Sequence, residues 1–334
     1  MTLQSEVKDD PKYIPILDHG FVGLVDAMPS APGAGDAAIV QAARVSYGAG
    51  TKSVRNDRGL IRYLLRHKHT TPFEMLEFKF HLKMPIFVAR QHIRHRTANV
   101  NEYSGRYSEM SNEFYVPEAE HIMPQSTDNK QGRKGALSEK NRQVSQQVMN
   151  MSYGQSYRMY QALLGKDYGD LEYDAFGEDH PEDKTIHSFY NTGVPDDTWF
   201  DDDFKDVGIA RELARIVMPL SNYTEMYWKI DLHNLFHYLK LRMDGHAQYE
   251  IRVIASAMYE LIKPYAPMAC EAFEDYVLNS VELSGPEMEI IRTVINKTAP
   301  TKDIFGTKKP FGDLVKDSDL SEREKAELLK KIGK

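Results

Sequence analysis

Apolar residues recur along this chain with two periods. Phe78, Phe80, Leu82 and Met84 alternate with Lys79, His81 and Lys83, the period of two of a strand with one buried face. Residues 20–26 predict a shorter strand, and 113–117 another. Elsewhere the spacing is helical. Leu60, Ile61, Leu64 and Leu65 predict one helix, and the alanine-rich stretch 37–45 predicts one before it, capped by Asp36. Pro85 suits the first turn of a helix that runs on toward residue 91. Ser138 is the expected N-cap of a long helix to Leu164, along which Val144, Val148, Met151, Tyr157 and Tyr160 recur. Further helices are predicted over 208–220, 222–244, 247–262, 268–282 and 286–297. A Lys/Pro/Gly linker at 300–313 precedes a terminal helix that opens with the capping box Ser321-Glu-Arg-Glu324.

Between these elements lie polar stretches at 1–15 and 122–137, a turn-rich one at 29–35, and a strongly acidic one at 166–206 containing Asp201, Asp202 and Asp203. The acidic stretch reads as an exposed insertion. The whole chain has 334 residues, 41% of them hydrophobic, enough for a large core. A net charge of −7 argues against nucleic acid as the main partner. No apolar run is long enough to span a bilayer. A single cysteine, Cys270, excludes an internal disulfide. With no apolar signal core near Met1, a reducing, cytoplasmic setting is expected.

Residues 91–107 hold the densest candidate chemistry. Gln91, His92, Arg94, His95, Arg96, Asn99, Asn101, Glu102, Ser104 and Arg106 fall within this one stretch, ending in a turn at Gly105 and Tyr107. Arginine forks suit phosphate or carboxylate, and guanidinium planes stack on flat rings. An Arg/His run is also what a solvated helix face or a nucleic-acid patch looks like. The run has no lysine, however, and interleaves asparagines, Glu102 and Ser104, which favour directional hydrogen bonds to an anionic, planar ligand. A nucleic-acid-binding module using this segment is the alternative reading.

Two other chemistries are weaker. His233 and His237 are four apart on an expected helix, with Asp231 and His246 nearby, as two metal ligands would be. Asn234 stands where a metalloprotease motif needs glutamate, so a structural or hydrogen-bonding pair is the better reading and no metal is assigned. Cys270 sits within an expected helix with no histidine near it in sequence, which suits a buried small hydrophobe better than a nucleophile.

The pattern Arg94-His95-Arg96-x-x-Asn99-x-Asn101-Glu102-x-Ser104-x-Arg106 resembles the signature of the flavin-dependent thymidylate synthases, the ThyX family, written R-H-R-x-x-S-x-N-E-x-S-x-R. Asn99 departs from it. The resemblance extends to His69-Thr-Thr71-Pro-Phe-Glu74, to 214–220, to Asp231-Leu-His233-Asn-Leu-Phe-His237 and to 241–250. It covers about 20–275 apart from the acidic stretch and the loop before it.

The resemblance implies an α+β fold: a small, mostly antiparallel sheet packed with several long helices, assembled as a homotetramer with active sites at subunit interfaces. It implies a catalytic domain over 1–280, with the insertion at about 166–206, and a helical extension over 281–334. The implied reaction makes dTMP from dUMP, with 5,10-methylenetetrahydrofolate as carbon donor and NADPH as reductant through FAD. Thr71, Arg94, His95, Arg96, Glu102, Asp231, His233 and His237 would hold FAD. Gln91, Arg94, Glu102, Ser104, Gly105, Arg106, Arg215 and Arg242 would contact dUMP, and His69 and Tyr107 would lie near flavin and folate. Arg242, always protonated, would stabilise charge building on the uracil. Ser104 has no adjacent base, so a phosphate-binding role is preferred to a nucleophilic one. On one straight helix, Asp231 and Arg242 would share a face and His233 and His237 roughly the opposite one, so either the helix bends or its faces serve different sites, and the second option predicts active sites built from several subunits.

Overall fold

The alternating segment at 78–84 is the middle of a five-stranded sheet in the computed structural model, which describes residues 10–45, 57–128, 130–166, 200, 204, 207–297 and 311–331. The strands are β1 (Tyr13–Ile16), β2 (Gly20–Met28), β3 (Glu77–Pro85), β4 (Asn99–Glu102) and β5 (Tyr223–Asp231), in spatial order β1-β2-β3-β5-β4. Every adjacent pair is antiparallel. The helices are α1 (Ala34–Val45), α2 (Asp57–Arg66), α3 (Ile86–His92), α4 (Glu139–Leu163), α5 (Arg211–Ala214), α6 (Leu232–Arg242), α7 (Tyr249–Ile262), α8 (Pro267–Phe273), α9 (Gly285–Lys297), α10 (Phe311–Lys316) and α11 (Glu322–Lys331). The chain divides into two compact units, Met1–Leu278 and Asn279–Lys334. In the second, Ser321 and Glu324 cap each other's backbone N–H groups at the start of α11, the expected capping box. No helix among the described residues is long and apolar enough to cross a membrane.

One sheet face carries the core. Phe78, Phe80, Leu82 and Met84 of β3 and Met226, Trp228 and Ile230 of β5 are buried there with residues of α1, α3, α6, α7 and α8. The other face was expected to be solvated, yet His81 and Lys83 are buried too. The rings of Tyr13, Phe21 and Tyr227 surround His81, and Lys83 pairs with Glu113 at 2.8 Å.

The largest departure from the sequence pattern is β5. The single helix expected over 222–244 is a strand followed by α6. The strand's period of two is present in the buried Met226, Trp228 and Ile230. Asp231 ends the strand and is the N-cap of α6, its carboxylate accepting from Asn234 N at 2.9 Å. The β3 strand likewise runs straight into α3 at Pro85. Asp231 therefore lies outside the helix, and the argument that opposed helix faces divide the site loses its basis.

Smaller differences have local causes. Over 208–220 only α5 and a 3-10 turn at Arg215–Val217 form. Residues 113–117 contribute one bridge, Phe114 to Asn222, rather than a strand. Asp36 lies inside α1 and caps a different helix: its carboxylate accepts from Met268 N at 2.8 Å and Ala269 N at 3.0 Å at the start of α8. Ser138 caps α4 as expected. Nearly all of the acidic insertion lies outside the described residues.

Candidate functional site

Three pieces of chain meet at the end of the sheet where β4 forms its edge. The first is the segment after α3. His92 is fully buried, with Nδ1 3.0 Å from the Tyr238 hydroxyl and its ring 4.4 Å from that of Trp228. Burial, with His95 and Arg242 nearby, lowers its pKa to about 3. The chain then turns outward, leaving Arg94 and Arg96 less enclosed and His95 half-buried. The His95 ring meets Tyr238 edge-on at 4.7 Å and His237 at 6.3 Å.

Arg242, at the end of α6, donates from Nε to His95 Nε2 at 3.0 Å. The acceptor must be unprotonated, so His95 is neutral with its proton on Nδ1. Burial first, then Arg242 and His237, bring the His95 pKa down to about 4. With Nε engaged, the two terminal nitrogens of Arg242 remain for a ligand. His237 and Arg242 thus meet through His95 rather than pointing apart. Gln91, one turn before His95, bonds Gln248 near the start of α7.

The second piece is β4 and the turn after it. Asn99 pairs with Lys229 and Glu102 with Met226 on β5. The Glu102 carboxylate accepts from the Thr224 hydroxyl at 2.8 Å. Ser104 Oγ accepts weakly from Arg106 N at 3.4 Å. The Ser104 carbonyl accepts from Tyr107 N at 3.0 Å, which closes a tight turn, and from Ser108 N at 3.2 Å. Tyr107 is 78% exposed.

The third piece is the stretch around α5. Arg106 Nε donates to Glu212 at 3.0 Å in an exposed pair. The Arg215 side chain lies against Gly105: a Cβ built there would sit 3.1 Å from Arg215 Cδ and 2.6 Å from Met110 Sδ. A side chain at this position would displace Met110 and Arg215, so the glycine lets both pack close to the turn.

The remaining expected residues are more scattered. Thr71 opens the 3-10 turn Thr71–Met75 and is exposed. His69 is exposed, its ring 5.8 Å from Tyr63. His233 is half-buried on α6. Asp231 bonds Asn234, and His246 bonds Asp244 at 2.8 Å, so neither is directed at the His233–His237 pair. Cys270 is buried, which raises its pKa to about 12 and leaves it a protonated thiol. Residues given no role from the sequence are His92, Tyr238, Thr224, Gln248 and Glu212. Each acts through a partner distant in sequence, and only His92 stood within the segment already singled out.

Some arginines among the described residues pair with carboxylates and others, Arg142 and Arg252 among them, do not. Arg44, Arg58, Arg62, Arg106 and Arg133 all pair with carboxylates. At the site, Arg94, Arg96, Arg215 and Arg242 have no ion-pair partner among the described residues. Four uncompensated guanidinium groups, with imidazoles and a serine turn beside them, suit anionic groups on a planar ligand.

Residues 24–268 match the sequence model of a family described as "Thymidylate synthase complementing protein". A flavin-dependent thymidylate synthase of Ruegeria pomeroyi is 47% identical over 292 residues, 87% of this chain and 83% of that protein. One from Dictyostelium discoideum is 48% identical over 283 residues, 84% of this chain and 80% of that protein. Among solved structures, a UMP/dUMP methylase, PolB, from Streptomyces cacaoi bound with 5-Br UMP superposes with a TM-score of 0.59 at 29% identity, covering 81% of this chain and all of that one.

Proposed function

The chain belongs to the flavin-dependent thymidylate synthase family, and on that premise we propose how its residues divide the work of methylating dUMP. Family membership decides between the two readings of 91–107 in favour of the enzyme. The observation that carries the assignment of residues is the set of four arginines without carboxylate partners around the Ser104–Tyr107 turn and His95.

The dUMP phosphate is assigned to the turn. Ser104 supplies a hydroxyl, Arg215 a guanidinium lying over Gly105, and Arg106 a second fork once it leaves its exposed pair with Glu212. An exposed ion pair of this kind is worth only about 0–1 kcal/mol, so a phosphate competes with it readily. Glu102 and Gln91 are assigned to the pyrimidine and its sugar. Arg242 carries the catalytic role. Its guanidinium stays protonated and stabilises negative charge that builds on the uracil as C5 attacks the methylene carbon of 5,10-methylenetetrahydrofolate.

The donor set also fits FAD, whose diphosphate calls for arginine forks and whose ring edge calls for neutral hydrogen-bonding groups. Arg94, Arg96, His95, His233, His237, Thr71 and Glu102 are the residues that would hold it, with Asp231 acting through the helix it caps. Bound FAD supplies the hydride, drawn from NADPH, that turns the transferred carbon into a methyl group. His69 and the exposed Tyr107 are assigned to the flavin and folate vicinity. Tyr107, Ile216 and Leu220 are large exposed apolar residues, which supports a homotetramer with active sites at subunit interfaces. This chemistry is assigned to residues 1–280, and none of it to the extension over 281–334.

The test is tritium release from 5-labelled dUMP by purified protein, with and without FAD, NADPH and methylenetetrahydrofolate. Release that requires the flavin supports the reading. Equal release without flavin, or a protein that takes up no FAD, overturns it.

A further inference from the structure

Two buried side chains behind the catalytic arginine have no role in the assignments above. His92 and Tyr238 are both fully buried on the core face of the sheet, and among the described residues their polar contact is with each other, at 3.0 Å. His92 Nε2 has no hydrogen-bond partner there. A hydroxyl that donates to Nδ1 leaves one orphan, the Nε2 proton. The reverse arrangement leaves two, the Nε2 lone pair and the tyrosine proton. The first is favoured, because every unpaired buried polar group costs free energy.

A polar pair with an orphan is a poor choice for a core position that phenylalanine or leucine would fill. Its placement gives it another use. Trp228 packs against both rings, at 4.4 Å from His92 and 5.4 Å from Tyr238. Trp228 thus holds the plane of the tyrosine ring and the hydroxyl tether holds its tip. The Tyr238 ring in turn packs against His95, the centroids 4.7 Å apart and the planes near perpendicular. His95 accepts from Arg242 Nε, so the plane of its imidazole sets where the guanidinium lies. We propose that Tyr238, anchored by His92, is a positioning residue for Arg242 and acts through His95. The inference rests on the reading of Arg242 as the catalytic arginine.

Tyr238→Phe keeps the ring and removes only the tether. Because Arg242 acts on charge that exists in the transition state, its displacement appears in kcat more than in KM for dUMP. A fall of roughly tenfold to a hundredfold in kcat is expected, the scale of small misplacements of a catalytic group. The second readout does not depend on turnover. In flavin-loaded enzyme labelled with nitrogen-15 histidine, solid-state spectra should show His95 as a single neutral tautomer protonated at Nδ1, its signal identified by its loss in His95→Gln. Tyr238→Phe should convert it to a tautomer mixture. A core control such as Ile254→Val should change neither readout.

An unaltered His95 signal in Tyr238→Phe overturns the proposal. So does a kcat loss that simply adds to that of His95→Gln in the double variant, since residues acting in series are not additive. If Tyr238→Phe does not fold, His92→Phe breaks the same tether and is judged by the same two outcomes. Arg242→Ala separates the underlying reading: near-normal turnover there removes the catalytic arginine, while the His95 spectrum of Tyr238→Phe still reports on the tether.

Discussion

Arg242 Nε and His95 Nε2 are 3.0 Å apart, a hydrogen bond across 147 residues of sequence that joins the end of a helix to the signature segment. It holds the guanidinium without neutralising it. Arg242→Ala is expected to lower dTMP formation by at least about a hundredfold, the scale of losing one group that stabilises transition-state charge. FAD should remain bound, as read from the flavin absorbance of the purified variant. Near-normal turnover would remove Arg242 from the chemistry.

Gly105 makes a sharper test of the phosphate site. Gly105→Ala places a methyl group against Arg215 Cδ and Met110 Sδ. The arginine must shift, so KM for dUMP should rise roughly tenfold, about the value of one charge-assisted hydrogen bond. Arg215→Ala should raise it too, and the double variant should be little worse than Arg215→Ala alone. Full additivity in steady-state kinetics would show that the two residues do not act on one contact.

His92 and His95 predict the acid limb of stability. Their pKa values in the folded protein, about 3 and about 4, lie below the ordinary histidine value of 6.5. Between the folded and ordinary values the unfolded chain binds more protons, so stability falls as pH drops from about 6.5 toward 4. Above 6.5 these residues contribute no slope. The melting temperature of His95→Gln should decline less steeply than wild type across that window. Parallel melting curves would refute the neutral, buried imidazole.

Cys270→Ala should leave turnover intact. The thiol is buried and protonated, and its loss costs about 1 kcal/mol of stability, an ordinary value for a small core change. A folded but inactive Cys270→Ala protein would contradict chemistry without an enzymatic thiol.

Asp36→Ala should be costlier. It removes the acceptor for two backbone N–H groups at the start of α8, and caps of this kind are worth about 0.5–2 kcal/mol. Denaturant titration should show that loss with kcat unchanged.

The signature segment was legible because its chemistry is local: the types and spacing of residues 94–106 point to an anionic ligand before any fold is known. The long helix α4 was legible from Ser138 and its apolar spacing. What failed were elements decided at a distance. The polar strand β4 exists because β5 offers it a partner. The strand β5 was hidden in a helix expectation, although Met226, Trp228 and Ile230 carry the period of two and Asp231 with Asn234 marks the helix start. The pairing of His95 with Arg242, and of His92 with Tyr238, depends on how two helices cross the same sheet. No spacing rule over a single stretch encodes that.

Both strands that feed the site pass into their helices without a loop, at Pro85 and at Asp231. Each junction works as the zero of a ruler. Arg242 reaches His95 because a fixed number of residues separates it from Asp231. One residue inserted within α6 would turn Arg242 by about 100° around the helix and advance it by about 1.5 Å. A change of length that spares both rulers must fall elsewhere in the chain, and the acidic stretch between α4 and α5 lies off them.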